Sequence, residues 1–188
     1  MKNSFSQKCE TEYFNTDSGF SYELLGDCIL KYMTASNLEN CTPVILCIGT
    51  DRATGDCLGP LVGERMVNFC DKYKVYGTLH SPVHALNIKE VIYSIYESIE
   101  NPFVIAIDAA LGISHHIGNI TVSNCPIFPG KGVNKKLPAI GDISITGIVN
   151  VSGKHPGLLQ STRLYTVMQL AEYISDALKY SISYFEDF

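Results

Sequence analysis

Pro43-Val44-Ile45-Leu46-Cys47-Ile48 is a continuous apolar run that ends on Gly49. The run is too short for a buried helix and shows no polar alternation, which predicts a strand covered on both faces. Downstream, Leu58, Leu61, Val62, Met66 and Phe69 recur at helical spacing over 57–71, and Asp56 stands just before that stripe in an N-cap position. A second strand is predicted over 75–79. Ile88, Val91, Ile92, Ile95 and Ile99 then mark a helix closed by Pro102. Residues 103–107 form a third buried strand, with Asp108 at its C-terminal end. Strand, helix, strand, helix, strand implies right-handed crossovers. The expected fold is therefore three-layer α/β/α, with a mostly parallel sheet and helices on both faces.

Outward from this unit the pattern is less regular. Leu24, Leu25, Cys28, Ile29 and Tyr32 predict an amphipathic helix over 20–34, behind a flexible N-terminal segment at 1–18 that has few aliphatic residues. Residues 117–123 and 143–151 read as further strands, separated by a Pro/Gly-rich excursion over 124–142. A helix over 158–179 closes a single domain spanning 19–188.

The chain has 188 residues, of which 46% are hydrophobic and 18% charged. A domain of this length buries roughly 70% of its unfolded surface and needs no disulfide staples. Its formal net charge of −5 and the absence of a basic face argue against nucleic-acid binding. No apolar run approaches the roughly 20 residues of a membrane span, and the N-terminus lacks a signal-peptide pattern, so a cytoplasmic protein is expected. Seven cysteines with no C-x-x-C spacing read as buried free thiols in a reducing compartment.

Ligands of open parallel sheets gather outside the carboxyl ends of the strands. Asp56 and Asp108 both fall at that edge. Two close carboxylates cannot both ionise easily, so one keeps a proton beside a base that can activate water. By pattern alone Asp56 reads as a helix cap, whereas Asp108, after Val104-Ile105-Ala106-Ile107, is either rim or functional acid. Cys57 at a helix start could be a nucleophile, but reads better as a small packing residue. His80 and His84 flank Ser81-Pro82-Val83 near the same rim, with substrate contact and structure both open. Asp51 and Arg52 can form an ion pair or hold a peptide backbone. Asp142 reads as a turn residue, and Gly130-Lys131-Gly132 is no phosphate loop.

Three segments, in order, carry a resemblance. Gly49-Thr50-Asp51-Arg52-Ala53-Thr54-Gly55-Asp56-Cys57-Leu58-Gly59-Pro60 resembles the G-N-x-x-x-T-P-D-A-L-G-P motif of the spore germination proteases. Ile105-Ala106-Ile107-Asp108-Ala109 resembles their I-A-I-D-A, and Pro129-Gly130-Lys131-Gly132-Val133 their P-G-x-G-V. Thr50 replaces the motif's Asn. The resemblance implies the fold shared with hydrogenase maturation endopeptidases, and by length it looks closest to the small sporulation proteins of the YyaC type.

It further implies an acid protease unlike pepsin, with Asp56 and Asp108 as the catalytic pair, in the cytoplasm of a spore-forming bacterium. Asp51, Arg52, His84, Gly130 and Gly132 become candidate substrate contacts, with the 49–55 and 124–142 loops holding an extended peptide. The expected partner is a protein or peptide substrate, such as a spore protein, with no nucleic acid and no membrane; exposed helical faces are compatible with a homo-oligomer. His155 is the positional candidate for the metal-binding histidine of the hydrogenase enzymes but reads as a loop histidine, so no metal or other cofactor is expected. Two alternatives stay open: a silent peptide-binding member of the fold, and a metal-dependent maturation-type peptidase using Asp56, Asp108 and His155.

Overall fold

The apolar run at 43–48 forms an inner strand of the sheet, paired on both sides. Alternation sends Val44 and Leu46 to one face and Ile45 and Cys47 to the other, and all four are fully buried. A computed structural model describes residues 9–16, 21–36, 38, 41–69, 72–128, 139–153 and 157–186. Its strands are β1 (Thr11–Asn15), β2 (Thr42–Cys47), β3 (Lys74–Tyr76), β4 (Pro102–Gly112), β5 (Asn119–Ser123) and β6 (Ile143–Val151). They join in the order β1-β5-β6-β4-β2-β3. The β3, β2, β4 and β6 strands run parallel, β5 runs antiparallel to β6, and the edge strand β1 runs antiparallel to β5.

The helices are α1 (Tyr22–Ala35), α2 (Leu58–Met66), α3 (Ile88–Ser98) and α4 (Leu164–Glu186). Leu25, Ile29 and Met33 of α1, Leu58 and Val62 of α2, and Leu170, Ile174 and Leu178 of α4 pack on one face of the sheet. Ile88 and Ile95 of α3 pack on the other, against Val44, Leu46, Val104 and Ala106. This is the expected α/β/α layering with a mostly parallel sheet. Ile145 is completely buried between strands and helices, so Ile145→Ala should cost about 2–5 kcal/mol through lost transfer energy and a residual cavity, read from the urea midpoint. Among the described residues no helix is long and apolar enough to cross a membrane.

Four expectations are corrected. Part of the segment expected to be flexible is β1, laddered along β5 from Thr11↔Ser123 to Asn15↔Asn119. Among its described residues only Phe14 and Thr16 are buried, so the five residues of the strand offered too little period to read, and the ladder supplies what local pattern did not. The third buried strand does not stop at Ile107, because β6 pairs with β4 as far as Gly112. The last helix starts at Leu164 rather than Leu158: residues 157–162 form turns, pinned where Asn150 Nδ2 donates to the Leu158 carbonyl at 2.8 Å. Leu159 still packs on the core, which is why the stretch read as helical.

The fourth correction concerns thiols. Cys9 and Cys125 are joined as a disulfide across 116 residues of sequence, with Cα atoms 5.7 Å apart. Their meeting depends on β1 docking beside β5, a tertiary event that spacing does not report. Cys28, Cys41, Cys47 and Cys57 are free. Burial pushes the Cys28 thiol up to about 12 and the Cys47 thiol upward as well, so both are packing residues.

Candidate active site

Gly49 begins the site. Its φ of +143° lets β2 turn sharply out of the sheet, and any side chain there would strike the Asp56 carbonyl. That carbonyl accepts the Thr50 N–H at 3.0 Å, closing the 50–56 loop on itself. A short 3-10 turn, Gly55–Cys57, then precedes α2. Cys57 is the residue at the N-cap of α2, with no side-chain cap bond. Asp56 therefore does not cap the helix as its position suggested: the extra turn places it one residue before the cap. Gly55 donates to the Leu159 carbonyl at 2.8 Å, fastening this turn to the loop before α4.

Asp108 lies on β4 one residue beyond Ile107, the last to pair with β2. By alternation with Val104 and Ala106 it faces the α3 side. Its Oδ1 accepts the Ala109 N–H at 2.8 Å. Burial, then the charge of Asp56, push the Asp108 carboxyl up to about 8, against the opposing pull of the Ala109 N–H. The carboxyl group is enclosed, although the residue as a whole keeps some solvent contact. Asp56 is also raised by burial, while the Thr50 N–H and the nearby His84 pull it back. Asp108 is thus the member that holds its proton, and Asp56 the member that releases it first.

His84 joins them through the loop after β3. Val83 bridges Ile48, and the Gly49 N–H donates to the Val83 carbonyl at 2.7 Å, which draws this loop beside the Asp56 turn. His84 Nδ1 accepts the Leu86 N–H at 3.3 Å. In the neutral ring this bonding assigns the hydrogen to Nε2.

The structure brings together Asp56, Asp108 and His84. Asp51 and Arg52 are exposed in the same loop and, among the described residues, form no ion pair with each other, contrary to one expectation. The Arg52 N–H makes a long contact to Thr50 Oγ1 at 3.4 Å. Cys57 is buried, and burial together with Asp51 and Asp56 raises its thiol, opposite to what a nucleophile requires. Gly130, Gly132 and His155 lie outside the described residues. The stem of the 124–142 excursion sits at the other end of the sheet from the acids: Ile127 bridges Ile140, and Asp142 exchanges bonds with Val104 near the start of β4. Asp142 was read as satisfying a turn; its carboxylate instead accepts the Val104 N–H of β4 at 2.9 Å. Among the described residues no three His, Cys, Asp or Glu side chains cluster as a metal site.

Asn150 and Thr162 were overlooked. The Asn150 amide reaches Leu158 and, at 3.4 Å, Thr162 Oγ1, holding the loop that buttresses Gly55. Asn150 interrupts Ile148-Val149 and Val151 near the end of a parallel strand, the same signal that marked Asp108. An open groove of about 490 Å³ lies elsewhere, between α1 and α4, lined by Tyr22, Phe69, Lys179 and Tyr180 among others. It touches neither Asp56 nor Asp108, so the chemistry is assigned to the sheet rim, where a buried carboxyl and a second acid meet.

The fold resembles that in the crystal structure of a [NiFe] hydrogenase maturation protease, HycI, from Thermococcus kodakarensis KOD1. The TM-score is 0.50 and the identity 16%, over 81% of this chain and 99% of that one. In sequence, the Uncharacterized protein YyaC of Bacillus subtilis (strain 168) is 49% identical over 137 residues, which are 72% of this chain and 67% of the relative. Residues 14–177 match the family model described as Protein of unknown function (DUF1256), and the chain belongs to that family.

Proposed function

We propose that this chain is a peptidase that hydrolyses peptide bonds with Asp56 and Asp108, as the spore germination proteases are held to do, and that it works in the cytoplasm of a spore-forming bacterium on a protein such as a spore protein. The supporting observation is electrostatic: burial and the charge of Asp56, which comes from a separate element, act on Asp108 at a sheet rim, and this deeper acid keeps its proton up to about pH 8. In the first step Asp56 takes a proton from water as its oxygen bonds to the scissile carbonyl carbon. Asp108 gives its proton to the carbonyl oxygen. In the second, the tetrahedral carbon expels the amine, which takes the proton from Asp56, and the carbonyl oxygen returns its proton to Asp108. Atoms and charges balance, and both acids end as they began. His84, beside Asp56, favours the ionised carboxylate when it is itself protonated.

The test is to incubate the purified chain at pH 6–7 with a library of proteome-derived peptides and follow new termini by mass spectrometry. Cleavage at a restricted set of bonds is expected. A library left intact after long incubation would remove the peptidase reading.

A further inference from the structure

The β4 strand outruns its neighbour. On one side it pairs with β6 as far as Gly112; on the other its last partner is Cys47 of β2, opposite Ile107. The chain turns away at Gly49, so Asp108–Gly112 has no strand beside it there. Bonds made lower down show which way each backbone group faces. The Ile48 N–H donates to the Ile107 carbonyl at 2.7 Å and the Thr42 N–H to the Asn101 carbonyl at 3.1 Å, so odd-numbered residues of β4 face β2. Even-numbered residues face β6: the Gly112 carbonyl takes the Ser152 N–H at 2.6 Å, and Val104 exchanges bonds with Asp142. The register shift between Ala110 and Leu111 places the extra residue, Val149, in β6 and leaves the alternation of β4 intact.

Ala109 and Leu111 consequently aim their groups into the space that β2 vacates. The Ala109 N–H is taken by Asp108. The Ala109 carbonyl and both backbone groups of Leu111 have no bonding partner on that side among the described residues. Both residues are only half-buried. Leu86, 77% exposed, and Ile113, 51% exposed, stand in loops at the same rim and offer apolar contact.

An unpaired strand edge is a template for another extended chain, which draws affinity from its main chain. We infer that an extended peptide segment of the substrate adds to this overhang as a strand, bonded to the Ala109 carbonyl and to Leu111. The place of binding brings a peptide group alongside Asp108; that this leads to cleavage rests on the peptidase reading. Asp51 and Asp56 outnumber Arg52 at this rim, which selects a segment without acidic side chains.

The probe is a pool of capped, random-sequence peptides of about nine residues lacking Asp and Glu, a length that fills one strand. In Asp108→Asn, which should bind without cutting, the pool should slow amide exchange at Leu111 about tenfold or more. Leu111→Pro removes the outward N–H without costing a ladder bond. It should bind the pool about tenfold more weakly than Leu111→Ala by fluorescence anisotropy, close to the loss of one good hydrogen bond. Failure of the pool to bind, or binding that leaves the Leu111 amide unprotected, overturns the inference, and neither result requires the proline variant to fold. If Leu111→Pro cleaves as fast as Leu111→Ala, the edge is not the substrate site although the acid pair survives. If the pool protects Leu111 yet the unmodified chain cuts nothing, the edge stands and the peptidase reading falls.

Discussion

Asp108→Asn should lower kcat/KM for peptide cleavage by about three orders of magnitude or more while leaving the fold standing, since loss of a positioned general acid typically costs 10²–10⁴-fold. Asn has the shape of the protonated acid that burial already favours, so the core at the end of β4 is undisturbed, but it has no proton to give. The same shift sets the pH dependence. Activity should fall as pH rises through about 8, where Asp108 ionises, and also on the acid side, where Asp56 protonates above the ordinary carboxylate range.

Stability follows with a definite sign. Folding raises the Asp108 pKa, so between the ordinary carboxylate value and about 8 the folded chain holds a proton that the unfolded chain has released. Stability from this group is complete at low pH and is lost as pH rises through that window, by about 1.4 kcal/mol per unit. Asp108→Asn should remove that slope and unfold at higher denaturant than the parent at pH 8. Urea midpoints at pH 5, 6, 7 and 8 provide the measurement. Equal slopes in the two proteins would mean that Asp108 is ordinary and that the acid pair has no electrostatic basis.

Gly49→Ala should cost about 3 kcal/mol of stability, the upper range for a single change at a strained backbone position, and should abolish cleavage. Two effects combine. The φ of +143° is one that residues with a Cβ rarely adopt, and the added methyl would collide with the Asp56 carbonyl and crowd Pro60 Cδ at 3.1 Å. Relief requires moving the Asp56 turn, and with it the carboxylate that faces Asp108. Gly153 is the control. Among the described residues a Cβ there meets only Leu158 Cδ1, at an ordinary 3.5 Å, so Gly153→Ala should stay within about 0.5 kcal/mol of the parent. Similar urea midpoints for the two variants would show that the close approach at Gly49 does not hold the acid turn.

The layering was legible because it depends on local pattern. A run such as Val44–Cys47 buries both faces wherever it folds, and Ile88, Val91, Ile92 and Ile95 make one side of a helix whatever lies opposite. Asp108 was legible for the same reason, as a charge directly after four apolar residues. Where the pattern was short or ambiguous, the reading failed: β1 has one buried hydrophobic residue, Phe14, and Leu158-Leu159 is equally apolar in a helix or a buttressing turn.

The pairing of the acids belongs to a different level. The chain alone determined that Asp56 and Asp108 follow buried strands. That Asp56 raises the pKa of Asp108, that His84 stands beside Asp56, and that Cys9 meets Cys125 were decided by tertiary structure. Each of these depends on which strands lie side by side and where one stops short of the next, and that is set by packing among residues far apart in the chain. The free edge at Leu111 is the same kind of fact: nothing in Ala109-Ala110-Leu111-Gly112 says that β2 turns away before reaching it.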